Sequence, residues 1–185
     1  MRIEHNPELL PQALDHRIVS GDYIEVKLLI RDLMHDFSGK TIIELGPGSR
    51  GVDLLYVLSE EAYKVLGVDC TYDEFPSSSN PKVDLVGSRI ESLKNFVDSE
   101  IADLVYFHNM HPEPWNLGPF TREEFDNALP DIVSHALKPE GYFFAHQSFP
   151  SYMPEERIFL NNGFNKVDIK RKYNSNVMVF RKTKE

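Results

Sequence analysis

Apolar residues fall at helical spacing over residues 24–37, where Val26, Leu29, Ile30, Leu33 and Phe37 share one face and Lys27, Arg31 and His35 lie off it. Ser38-Gly39 closes that helix. Upstream the pattern is weaker: Asn6-Pro7 starts a helical turn, and Pro11 limits its length. From residue 40 short apolar runs alternate with helical patterns. The runs at 41–45, 64–69, 83–86 and 103–108 read as strands, and the stretches at 51–61 and 90–97 as the helices between them. Thr121-Arg-Glu-Glu124 has capping-box spacing and opens a helix that Pro130 is expected to kink or split. Pro139-Glu-Gly141 turns the chain into a fifth strand at 142–145. Residues 155–162 read as a helix with Gly163 as its C-terminal cap. Two last strands, 166–172 and 177–181, are separated by only four residues, Tyr173-Asn-Ser-Asn176, which predicts an antiparallel hairpin.

Five strands alternating with helices predict a doubly wound α/β fold. Its sheet is mostly parallel with helices on both faces, and a C-terminal antiparallel hairpin completes it. Residues 1–39 form an N-terminal helical cap on a core spanning 40–185, and 185 residues suit a single domain overall. Ligands on such sheets bind beyond the carboxyl ends of the strands, where the strand order reverses. Chemistry is therefore expected after residues 45, 69, 86, 108 and 145.

Composition narrows the class. Apolar residues make up 41% and charged residues 26%, ordinary for a soluble globular chain and unlike disordered, collagenous or coiled-coil sequences. No apolar run approaches the ~18 residues of a membrane span. The first ten residues lack the pattern of a secretory signal, and a lone cysteine, Cys70, makes no internal disulfide, so a cytoplasmic location is expected. The net charge of −9 is uneven: residues 166–185 carry +5 and the rest −14. An acidic body argues against broad nucleic-acid binding, while the basic tail leaves a narrower contact open.

The sharpest motif is Glu44-Leu-Gly46-Pro47-Gly48-Ser-Arg-Gly51, which follows a strand and opens a helix. Gly46 suits the tight turn, Gly48 lets a ligand approach the backbone, and Gly51 can bring helix and sheet together. The same glycine spacing fits a dinucleotide fingerprint and hence a nicotinamide-dependent oxidoreductase. Glu44 argues otherwise, because a carboxylate two residues before the first glycine repels a pyrophosphate and suits an ammonium or sulfonium group. Asp69 ends the second strand, where a carboxylate accepts hydrogen bonds from ribose hydroxyls.

The stretch Ile-Ile-Glu44-Leu-Gly46-Pro47-Gly48-Ser-Arg-Gly51 resembles motif I of the class I S-adenosylmethionine-dependent methyltransferases. The resemblance runs on through Val-Leu-Gly-Val-Asp69, Leu-Lys-Pro-Glu-Gly141 and Asn-Asn-Gly-Phe164, over residues 40–183. It implies a seven-stranded sheet that binds S-adenosylmethionine at its carboxyl edge. On that basis Glu44, Gly46, Pro47, Gly48, Asp69, Cys70, Ser88, Arg89, Ile90 and His108 are the expected cofactor-binding residues. One departure stands out: the family often carries an acid for the adenine amino group where this chain has Ser88, so Ile90 packing and backbone groups are expected to carry more of that recognition.

The loop that follows the fourth strand, His108-Asn109-Met110-His111-Pro112-Glu113-Pro114-Trp115, is stiffened by two prolines and rich in polar side chains. Methyl transfer needs the acceptor aligned and, for some acceptors, its proton removed. His111 is the candidate general base, and Asn109 the residue that orients or hydrogen-bonds the acceptor. His108 and His111 have metal-ligand spacing, but no matching Cys or acidic cluster accompanies them, so no metal is expected. His111-Pro-Glu-Pro-Trp115 also faintly resembles a Pro-Asp-Pro-Trp segment of tRNA guanine-N7 methyltransferases, without the basic run that follows there. An acceptor pocket is expected from Tyr23, the 111–120 loop and the 147–152 turn. Trp115, Phe120, Phe149 and Tyr152 would form its apolar walls, and Asn109, His111 and His146 its polar handles.

The leading expectation is an S-adenosylmethionine-dependent methyltransferase acting on a small molecule or an accessible side chain. The other readings are a non-catalytic cofactor-binding partner protein and a tRNA guanine-N7 enzyme. No membrane partner is expected, nucleic acid is disfavoured but left open, and the oligomeric state is not legible.

Overall fold

Seven strands form one sheet in the order β3-β2-β1-β4-β5-β7-β6 in a computed structural model that describes residues 21–70, 78, 80–110, 121–170 and 172–184. The elements run α1 (Gly21–Met34), β1 (Thr41–Leu45), α2 (Gly48–Ser59), β2 (Lys64–Asp69), β3 (Val83–Gly87), a 3-10 helix (Ile90–Asn95) and β4 (Ala102–His108). There follow α3 (Arg122–Ala136), β5 (Leu137–Gln147), a 3-10 turn (Pro150–Tyr152), α4 (Glu156–Asn161), β6 (Phe164–Lys166) and β7 (Asn176–Lys182). Strands β1 to β5 pair in parallel, and β7 pairs antiparallel with both β5 and β6. The doubly wound α/β fold with its C-terminal antiparallel pair is thus the one the alternation of patterns predicted. Strand order reverses between β1 and β4, beyond Leu45 and His108, the position where doubly wound sheets generally take their ligands.

Alternation along the strands sorts the core into two layers. Ile43, Leu45, Val105, Phe107, Phe143 and Ala145 pack toward α3 and α4. Ile42, Leu104, Tyr106, Phe144 and Val179 pack on the other face with Val26, Leu29 and Ile30 of α1 and Leu55 and Leu58 of α2. The apolar stripe of α1 therefore shares a core with the sheet.

Four details differ from the sequence pattern. Helix α1 ends at Met34, three residues before the predicted end, because His35 takes the left-handed conformation (φ 54°) and bends the chain; Phe37 still reaches the core. Helix α2 begins at Gly48, so the second glycine of the motif lies in its first turn. Helix α3 runs unbroken through Pro130, so the chain does not split there. The proline forfeits one backbone bond, but it is buried, and its helix is held to the core by Leu129, Ile132 and Val133. Strand β6 has three residues, not the predicted seven, and the connection to β7 is correspondingly longer. Here the backbone amides of Asn174 and Ser175 donate to the Glu25 carboxylate of α1, and the Tyr173 hydroxyl donates to Asp32, so this stretch docks on the helix and leaves the ladder.

Candidate functional site

The motif I turn sits at the reversal point. Gly46 adopts φ 67° and donates its N–H to the Val68 carbonyl at 2.8 Å, and a Cβ there would lie 3.0 Å from the Met110 side chain. Pro47 is the N-cap of α2. The close approach of this helix to the sheet is made at Gly67 of β2. A Cβ there would lie 2.5 Å from Leu55 and 3.2 Å from Pro47, a constraint the sequence pattern did not single out.

Glu44 lies one residue inside the end of β1, 1% exposed. Its Oε2 accepts a 2.8 Å hydrogen bond from the Tyr106 hydroxyl, and no donor among the described residues reaches Oε1. Burial pushes the carboxyl up to about 8, the Tyr106 bond opposes that shift, and Asp69 on the neighbouring strand adds to it. Tyr106 was not among the expected residues. Its register partner across the sheet is Glu44, so the pairing of β1 with β4 brings the two together; a polar residue in an apolar strand was the only signal.

Asp69 ends β2, buried, beside Glu44 and Cys70. Burial and Asp69 push the Cys70 thiol up, and Arg89 opposes them, so the exposed cysteine is a protonated thiol. The cationic neighbour of Cys70, Arg89, is supplied by the loop after β3. Ser88 donates its backbone N–H to Val86, and Ile90 packs on the core. The Arg89 guanidinium has Nε 3.7 Å from Glu91, yet Nε and Nη2 are buried without a hydrogen-bond partner.

His108 and His146 are register partners at the ends of β4 and β5, with ring centroids 5.0 Å apart, edge to face. Burial, and then His146, hold His108 down at about 3, so its imidazole is neutral. The His108 Nε2 lies 3.0 Å from the Asn109 amide nitrogen. Asn109 adopts φ 47°, receives the Ser148 backbone N–H and hydroxyl on Oδ1, and donates its own N–H to the His146 carbonyl. With Gln147 donating to the Met110 carbonyl, these bonds clamp the ends of β4 and β5 together. His146, expected to line an acceptor pocket, is fully buried and paired at 3.3 Å with Glu25, facing α1. Burial pushes the Glu25 carboxyl up, but the Asn174 amide, His146 and Ser175 outweigh it and hold the carboxylate ionised.

Phe149 is 57% exposed and meets Tyr152 edge to face at 6.0 Å, and Arg122 donates to the Met153 carbonyl. This keeps the 147–152 turn at the carboxyl edge. The candidate base His111, together with Trp115, Phe120 and the side chain of Tyr23, lies outside the described residues. Among the described residues no three His, Cys, Asp or Glu side chains converge as a metal site, and no helix is long and apolar enough to cross a membrane.

Solved structures match this arrangement of strands over nearly the whole chain. A TehB-like S-adenosylmethionine-dependent methyltransferase of Corynebacterium glutamicum aligns over 97% of this chain and all of its own, at 15% identity and a TM-score of 0.59. A Mesorhizobium loti S-adenosylmethionine-dependent methyltransferase aligns over 84% of this chain and 96% of its own, at 13% identity and a TM-score of 0.61. The fold is that of the class I S-adenosylmethionine-dependent methyltransferases. The methyltransferase solved with the Trm112 activator of Haloferax volcanii shares that fold too, aligned over the full length of both chains at 12% identity and a TM-score of 0.61. No family model and no curated protein matches the sequence. In this fold the turn at Gly46 and the acids Glu44 and Asp69 lie at the carboxyl ends of the neighbouring strands β1 and β2.

Proposed function

We propose that the protein is an S-adenosylmethionine-dependent methyltransferase acting on a small molecule or an accessible side chain. The observation that carries this reading is Glu44: a fully buried carboxyl with one oxygen held by Tyr106 and the other reached by no described donor, beside a glycine turn. Such a group suits a ligand that brings a cation, and Asp69 on the next strand suits the ribose of the same ligand. When bound, S-adenosylmethionine supplies a methyl group on a sulfonium, already an excellent leaving group. The chain's task is then to hold and orient. Glu44 takes the ammonium, Gly46 and Gly48 admit the ligand against the backbone, Asp69 takes the ribose hydroxyls, and Cys70, Ser88, Arg89 and Ile90 border the base. The neutral His108 adds no positive charge beside the sulfonium. The Asn109–Ser148 bonds fix the end of β4, and His111, which follows it in the chain, is the proposed base.

Calorimetry with S-adenosylhomocysteine tests the cofactor half of the reading. Binding is expected, and Gly48→Val is expected to abolish it while the variant stays folded; unchanged affinity in that variant would refute the placement. Transfer of labelled methyl groups to candidate acceptors separates an enzyme from a non-catalytic cofactor-binding protein. The Haloferax structure, in which the methyltransferase is bound to an activator, is the reason to run that assay with and without a partner protein.

A further inference from the structure

A polar row crosses the sheet on the α1 face at its carboxyl edge. Glu44 of β1, Tyr106 and His108 of β4 and His146 of β5 are all buried there, in strands otherwise apolar on that side. Tyr106 is the member with the least freedom. Its ring stacks on Phe144 at 4.8 Å with the planes 16° apart, and it is fully buried. Its register partner is Glu44, so the hydroxyl meets the carboxyl with no long side chain to order.

We propose that Tyr106 is a positioning residue for ligand binding: it fixes the Glu44 carboxyl through Oε2, so that Oε1 is offered to the ammonium group of an amino-acid-bearing nucleoside. The inference rests on the cofactor reading given above and adds to it a residue and a proton. Free protein carries Glu44 as the neutral acid over most of the range below pH 8, because burial outweighs the Tyr106 bond. The bound ammonium keeps its own protons and pairs with the carboxylate, and one proton leaves to solvent. Without the phenol, the carboxylate loses the donor that opposes its desolvation, so ionisation on binding is harder.

Among the described residues, the charged and titratable groups around Glu44 are few. Asp69 of β2 acts on it directly and raises its pKa. On the elements covering this face, α2 carries the buried Asp53 and α1 carries Glu25, which is engaged with His146; His108 follows two residues along β4 and is neutral. None of these described groups brings a positive charge to Glu44, and a cation reaching Oε1 would favour its ionised form.

The test is calorimetry on the full chain with two ligands, S-adenosylhomocysteine and 5′-methylthioadenosine, which lacks the amino-acid group. It is run at pH 6, 7 and 8.5 in two buffers of different ionisation enthalpy. S-adenosylhomocysteine is expected to bind about tenfold more tightly per pH unit up to about pH 8, with about one proton released at pH 7, while methylthioadenosine affinity stays flat. Tyr106→Phe is expected to weaken S-adenosylhomocysteine about tenfold at pH 7, to move the levelling-off to higher pH, and to leave methylthioadenosine unchanged. Glu44→Gln, isosteric with the protonated acid, is expected to remove the pH dependence and the proton release; it carries the test should the Tyr106 variant misfold. pH-independent S-adenosylhomocysteine binding in the wild type would overturn the inference and leave the cofactor reading standing. So would equal weakening of both ligands by Tyr106→Phe, the mark of a packing role. Failure of both ligands to bind the wild type would overturn the cofactor reading and the inference together.

Discussion

The two faces of the sheet are built from alternate residues of the same strands, yet they do different work. On the α3 side, Phe143, Phe159 and Phe180 stack at 4.6–4.8 Å, and Phe164 meets Phe159 edge to face at 5.4 Å. On the α1 side the same strands bury Glu44, Tyr106, His108 and His146, with Glu25 coming down from the helix. A buried ring contributes by excluding water and by contact, whatever its neighbours. A buried carboxyl or imidazole costs stability unless hydrogen-bonded, and its protonation shifts to reduce that cost. Both faces bury an apolar core, and the α1 face in addition holds ionisable groups whose protonation burial has shifted.

The contrast is broken most forcefully at Phe159, where three rings meet. Phe159→Ala should lower the unfolding free energy by about 3–5 kcal/mol, read by chemical denaturation, while ligand affinity per folded molecule is unchanged. A loss of affinity beyond that explained by unfolding would mean the two faces are not separate.

Next in size is the pH dependence of stability. Glu44 has its folded pKa raised from 4.5 to about 8, so the folded state binds the extra proton and stability falls as pH rises between those values. His108 is lowered from 6.5 to about 3, so the unfolded state binds the extra proton and stability falls as pH drops through that window. These two groups together place a plateau at about pH 4.5–6.5, with declines of a few kcal/mol on either side. Glu44→Gln should flatten the alkaline limb alone and His108→Gln the acid limb alone, measured by denaturation across pH 3–9. Retention of both limbs in both variants would assign them to other groups.

A smaller effect is expected at the latch between α1 and the β6–β7 connection. Glu25→Ala leaves the amides of Asn174 and Ser175 and the His146 ring without their carboxylate, a cost of about 1–3 kcal/mol. Hydrogen exchange at those two amides should quicken while exchange along β1 stays slow. Uniform quickening would mean the latch is part of the global core.

The smallest change in stability is expected at Arg89, whose buried Nε and Nη2 donate to nothing. Arg89→Met should leave the melting temperature unchanged or slightly raised, since it removes unsatisfied donors. If Arg89 borders a bound base, the same variant should weaken methylthioadenosine severalfold. Unchanged ligand affinity would place Arg89 outside the site.

Much of this was legible along the chain. The parallel core follows from runs such as Ile42-Ile43 and Val65-Leu66 separated by helical patterns, since a strand covered on both faces must be apolar throughout. The turn at Gly46 and the acids Glu44 and Asp69 were legible because glycine and carboxylate at strand ends are expensive unless used. Less legible was the path after β6: Lys166 to Lys172 alternates like a strand, and only the proximity of Glu25 and Asp32 on α1 shows where its continuation docks. Pro130 was misleading in the other direction, because the helix-breaking rule counts a local bond and not the burial of its neighbours.

By itself the sequence determined the order of elements, the layered α/β class and the position of the glycine turn, since these depend on spacing and residue type within a few neighbours. Tertiary structure alone decided which oxygen of Glu44 is held, that Tyr106 holds it, that His146 turns toward Glu25 and away from solvent, and that His108 stays neutral. Those outcomes depend on partners 62 and 121 residues apart and on the loss of water around them, and neither quantity is written in local spacing.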